Sequence, residues 1–85
     1  MIYLKKLIIN DEIIVYMYGT TKDIFIGELE INRNNFSLPP KKYLYVEGHK
    51  VETNEFTYEM KQAILGIASF IRKSEFPDEY LRATH

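Results

Sequence analysis

Residues 2–18 read IYLKKLIINDEIIVYMY, two runs of β-branched and aromatic residues on either side of Asn10 and Asp11. Such residues suit a pleated, half-buried surface, and Asn-Asp between them is a two-residue turn signal. The stretch is therefore expected to be a β-hairpin with strands at about 2–9 and 12–18. Where the turn falls sets the register, and the register decides which side chains share a face, because strand side chains alternate with a period of two. With Asn10 and Asp11 as the loop, Ile9 opposes Glu12, Leu7 opposes Ile14, Lys5 opposes Tyr16 and Tyr3 opposes Tyr18. The other face then carries Leu4 with Met17, Lys6 with Val15, and Ile8 with Ile13.

Outward from the hairpin, GTTKD at 19–23 is a second turn, and IFIGELEI at 24–31 is a third strand of an antiparallel meander. A five-residue turn sets Met17 against Phe25, Val15 against Gly27 and Ile13 against Leu29. That extends the aliphatic face, and Gly27 there would let a helix approach closely. The stretch NRNNFSLPP, 32–40, cannot sustain a ladder, because asparagine favours turns and proline lacks a donor, so it is a connecting loop. A fourth strand follows at about 42–47.

Thr53 or Asn54 is expected to cap a helix over about 55–73, with Glu55 and Glu59 near its start and Arg72 and Lys73 near its end. Each sign complements the helix dipole. At about 100° per residue, Phe56, Met60, Ala63, Ile64, Ile67 and Ile71 share one arc, flanked by Ala68 and Phe70, while Tyr58 and Leu65 fall on the polar side. PDEYLRA at 77–83 has the form of a short turn or helix, with proline first and two acids behind it. The expected fold class is α+β: a single domain over 1–85 with a four-stranded, mostly antiparallel meander and one long C-terminal helix packed on one face, ββββα. Two features conflict with this register, Lys6 on the aliphatic side and Glu12 opposite Glu30, and they mark where a bulge or an odd-length turn would exchange faces.

One helix covers one side of a sheet. The other side is expected to present Tyr3, Tyr16, Tyr18, Ile26, Tyr43 and Tyr45, an apolar and aromatic face of the kind protein interfaces favour. A second stretch, PPKKYLYVEGHK at 39–50, interleaves lysines and a histidine with tyrosines, as a strand that stacks bases would. The charge balance argues against that use: eleven Lys and Arg against twelve Asp and Glu leave a net charge of −1, with no surplus to hold phosphates.

With no cysteine there is no thiolate nucleophile, disulfide or Cys-based zinc site. Glu47, His49 and Glu52 come from one short segment and lack the spacing of a metal site, and no metal or other cofactor is expected. Ser37, Ser69 and Ser74 stand in no nucleophile context, no Gly-rich phosphate loop is present, and enzymatic activity is not expected. His85 is expected to be exposed. Two lysines interrupt the short apolar run at the N-terminus, which does not read as a signal peptide, and no run approaches a membrane span.

The abundance of Ile, Lys, Asn, Tyr and Glu suggests an AT-rich bacterial or phage genome. Together these readings describe a small cytoplasmic protein-binding domain that occupies a protein partner and homodimerises through the tyrosine face, in the manner of an immunity or phage accessory protein. The alternative is a single-stranded nucleic-acid binder using the sheet tyrosines.

Overall fold

A computed structural model of the protein describes residues 1–83; His85 lies outside them. The chain is α+β, with the order β1 (Ile2–Ile9), β2 (Ile13–Gly19), β3 (Gly27–Asn32), β4 (Lys41–Val46), β5 (His49–Thr53), α1 (Tyr58–Lys73) and β6 (Glu79–Arg82). The strands form one six-stranded antiparallel sheet in the order β5-β4-β3-β2-β1-β6, two strands more than the sequence reading expects. The first five make a meander. The helix then returns the chain to the opposite edge, where β6 lies against β1.

Both additional strands have a physical reason. β4 and β5 are joined by Glu47 and Gly48, whose φ values of 50° and 81° are those of a type I′ turn. That turn favours Asn-Gly or Asp-Gly, and glutamate in the left-handed region is rare, so Glu-Gly carries a weak signal. At 77–83 the helix-start chemistry of PDE is overridden by the open edge of β1, which offers a ladder to Glu79–Arg82, with Tyr3 opposite Leu81 and Lys5 opposite Glu79. The helix begins at Tyr58 rather than near 55. Thr57 is its cap, the hydroxyl accepting from the Met60 amide at 3.2 Å. Its other end is as expected, Lys73, followed by Ser74 in the left-handed conformation.

The hairpin register differs from the expected one. Asn10 stays in the ladder, its N–H donating to the Ile13 carbonyl at 3.1 Å, and its side-chain oxygen accepts from the Glu12 and Ile13 amides at 2.8 and 2.9 Å. Asp11 and Glu12 therefore make the turn. A bulge at Leu7 then shifts the pairing, so that Ile8 opposes Val15 while Lys6 opposes Tyr16 and Leu4 opposes Tyr18. On its other side β2 pairs Tyr16 with Leu29 and Tyr18 with Gly27. Tyr16 and Tyr18 thus face the helix, and both are 0% exposed.

They join Ile2, Leu4, Ile14, Leu29 and Ile31 from the sheet and Met60, Ala63, Ile67 and Phe70 from the helix in one core. Ile64 and Ile71 pack at its margin, and Phe56 lies outside the helix and exposed, so the buried arc is rotated toward Gly66 and Phe70. Close approach of helix and sheet comes from Gly66, where a Cβ would meet the Leu4 Cδ1 at 3.0 Å. Gly27 instead leaves room for the Tyr18 ring. Tyr58 and Leu65 remain exposed. The tail aromatics pack elsewhere, Tyr80 edge-on to Phe70 at 4.9 Å and Phe76 under Arg33 at 5.2 Å.

Lys6, on the covered side, reaches past the core to the segment after the helix. Its ammonium donates to the Phe76 carbonyl at 3.2 Å and pairs with Asp78 at 2.9 Å, and its amide donates to the Asp78 carbonyl at 2.8 Å. The Lys6 ammonium holds the Asp78 carboxyl below its ordinary pKa. The lysine that conflicts with an aliphatic face is thus the anchor of the chain leading into β6.

Candidate interaction face of the sheet

The helix contacts β1, β2 and β6, and among the described residues no second layer covers the face of the sheet away from it. Registers place that face in rows. One runs Leu81, Tyr3 and Gly19 across β6, β1 and β2, and continues through Ile26 and Tyr45 to Lys50. Ile26 lies in it by alternation with Gly27, donating to the Tyr18 carbonyl at 2.8 Å and accepting from the Tyr45 amide at 3.0 Å. The next row runs Glu79, Lys5, Met17, Glu28, Tyr43 and Glu52.

Of the six residues picked from sequence, Tyr3, Ile26, Tyr43 and Tyr45 therefore stand on the open face. Tyr16 and Tyr18 do not: β2 is turned over relative to the expected register, and Val15 and Met17 take their places.

The tyrosines are held in a network that sequence spacing does not reveal. The Tyr45 hydroxyl donates to the Glu28 carboxylate at 2.5 Å, and Lys50 approaches the other oxygen of that carboxylate at 3.5 Å. The same ammonium lies 4.6 Å from the centre of the Tyr43 ring. Glu28 is only 8% exposed, and these partners offset its burial. Burial first, and then the hydrogen bond to Glu28, raise the Tyr45 pKa. Beside this network Lys41 approaches Glu30 at 3.9 Å. Beyond Tyr3, the 20–25 loop and β6 enclose a shallow cleft of about 220 Å³ lined in part by Lys22, Phe25 and Leu81.

The other layer has an apolar recess of about 290 Å³ between Phe36 and Leu38 of the long loop and Ile64 and Ile71 of the helix. Loop composition hid those two side chains. Among the described residues no three His, Asp or Glu side chains gather as a metal site, and no helix is long and apolar enough to cross a membrane.

The two core tyrosines differ in their hydroxyls. Tyr16 donates to the Pro77 carbonyl at 2.7 Å, whereas the Tyr18 hydroxyl is buried and finds no hydrogen-bond partner among the described residues. Burial pushes both pKa values from 10.0 up to about 12, with Asp78 adding to the effect at Tyr16 and Glu59 at Tyr18. Raised folded values mean stability that is complete below pH 10 and lost as pH climbs toward 12, on the order of 2 kcal/mol for each tyrosine. Absorbance at 295 nm should show Tyr16, Tyr18 and Tyr45 ionising late, the two core tyrosines together with loss of the helix signal. Ionisation of all seven tyrosines near pH 10 with the fold intact would contradict their placement.

Comparison of the chain with protein-family models, curated proteins and solved structures returns no match.

Proposed function

We propose that this chain is a binding domain that acts by occupying a protein partner on the open face of its sheet. The observation that supports this is the ordered arrangement of Tyr43, Tyr45, Glu28 and Lys50, next to the apolar row of Ile26, Tyr3 and Leu81. Tyrosine supplies contact area at small entropic cost with a tip that tolerates water, and side chains already held by one another lose little freedom on binding. A protein surface of mixed charge suits this face better than a nucleic-acid backbone does. Its lysines at 41 and 50 are already matched by Glu30 and Glu28, and Glu52 and Glu79 oppose phosphate.

The test is a charge in the apolar row. Ile26 is 37% exposed and outside the core, so Ile26→Lys should leave the circular dichroism spectrum unchanged while weakening a captured protein partner tenfold or more by calorimetry. Tyr43→Glu should do the same, and Lys61→Glu, on the outer face of the helix, should have no effect. A partner that binds Ile26→Lys and Tyr43→Glu as tightly as wild type would remove the open face from the function. Tyr16 and Tyr18 are unsuitable for this purpose, because substitutions in the core report on folding.

A further inference from the structure

β5 is an edge strand, and the helix does not cover its end of the sheet. On the helix side of that end, Val46, Val51 and Phe56 are exposed at 50, 46 and 61%. The backbone of the edge is set by the turn before it. In a two-residue I′ hairpin the flanking residues, Val46 and His49, form a hydrogen-bonded pair. Alternation then makes Leu44 with Val51 another, so the N–H and C=O of Lys50 and Glu52 point outward from the sheet. These outward groups can be satisfied by another strand.

The strand HKVET is complementary to itself. If a second copy pairs antiparallel with the two-fold axis through Val51, Lys50 lies opposite Glu52 of the second copy, Glu52 opposite its Lys50, and valine opposite valine. This register also makes Lys50 and Glu52 the hydrogen-bonded pair, which matches the direction in which their backbone groups point. An axis through Lys50 or Glu52 would instead set like charges against each other.

The opposite edge offers no equivalent. For β6, the registers that keep both helices on one side of a joint sheet oppose Glu79 to Leu81 or Tyr80 to Arg82, with no charge pair inside the strand; the first sets Arg82 only against Asp78, whose carboxylate Lys6 already holds.

We infer that two copies of this chain join through β5, antiparallel about Val51, into one continuous twelve-stranded sheet. The exposed Val46, Val51 and Phe56 of both copies then meet on the helix side. On the other side, Tyr45 and Lys50 of one copy adjoin Glu52 and Tyr43 of the second, so the two open faces become one. The inference does not depend on what occupies that face.

Light scattering and sedimentation velocity on wild type should give about 20 kDa, twice the 10.1 kDa chain. Lys50→Glu and Glu52→Lys each set two like pairs across the axis and should weaken the dimer tenfold or more. Mixed in equal amounts, these two variants restore both opposite-charge pairs and should form a heterodimer, and the double variant should dimerise alone.

Lys50 also pairs with Glu28. Should Lys50→Glu fail to fold, Glu52→Lys and amide exchange on wild type decide: the Lys50 and Glu52 amides should exchange slowly, and more slowly as concentration rises. A wild-type monomer at the highest soluble concentration, a dimer indifferent to both charge reversals, or a mixture of folded variants that stays monomeric would each overturn the inference.

Discussion

Ile67→Ala is expected to lower the free energy of unfolding by about 2 to 5 kcal/mol, the range for truncating a buried branched aliphatic side chain. Ile67 is 0% exposed and sits in the core cluster with Tyr16, Leu4 and Phe70. A domain this small has roughly 5 kcal/mol of stability in total, so a large share of the molecules should be unfolded at physiological temperature. Ile64→Ala is the control. Ile64 packs only at the margin of the core, and its truncation should cost clearly less. Urea titrations with unchanged slope measure both, and equal midpoints for the two variants would mean that the helix is rotated from the orientation described.

Gly27→Ala should be destabilising by about 1 to 3 kcal/mol, an unusual outcome for adding one methyl group. At Gly27 a Cβ would meet the Tyr43 carbonyl oxygen and would lie 2.7 Å from the Tyr18 hydroxyl and 2.8 Å from its Cε1. The first is backbone of the adjacent strand, and the ring is fixed in the core, so neither can yield cheaply. Gly66→Ala is the contrast, because its Cβ would meet only flexible side chains, the far end of Leu4 at 3.0 Å and, in ordinary contact, the Arg82 Cδ at 3.7 Å, and alanine gains about 1 kcal/mol of helix propensity over glycine. Thermal melts should place Gly27→Ala well below wild type and Gly66→Ala close to it. The reverse order would show that the Tyr18 ring does not lie over Gly27.

The α+β class, the meander and the end of the helix are legible in the sequence, because they rest on hydrophobic period and on Gly, Pro and Asn punctuation. The facing of β2 is not. From Tyr3 to Lys6 and along β3, the expected and observed pairings with β2 differ by an odd number of residues, through the Leu7 bulge and turn on one side and the longer connection on the other. The two slips cancel across the strand. Leu4, Gly27, Leu29 and Leu44 accordingly stand on the side expected for them, whereas β2 and the end of β1 beyond the bulge, Ile8 and Ile9, are inverted, which takes Tyr16 and Tyr18 into the core and Ile9 to its margin. Tyrosine hides this inversion, since it suits a core and an interface alike. The expected Glu12–Glu30 pair is the visible trace of it: in the structure Glu12 lies in the turn and Glu30 opposes Val15, whereas Lys6 keeps the side expected for it.

The open face shows the same boundary. Tyr3, Ile26, Tyr43 and Tyr45 follow from alternation, but the Glu28–Lys50 contact joins β3 to β5 across an intervening strand. It depends on the Glu47-Gly48 hairpin, which sequence spacing leaves weakly marked.

The pairing of β6 with β1 has a mechanical consequence. Ile2 lies opposite Arg82, so the start of the first strand and the end of the last are neighbours in one ladder. Tension applied at these two points would open that ladder one rung at a time, as a zipper opens, instead of loading all its hydrogen bonds at once as shear would. The resisting force is then that of single rungs. Peeling should stop near Lys5, where Lys6 grips Phe76 and Asp78, and leave β1–β5 and the helix still packed together.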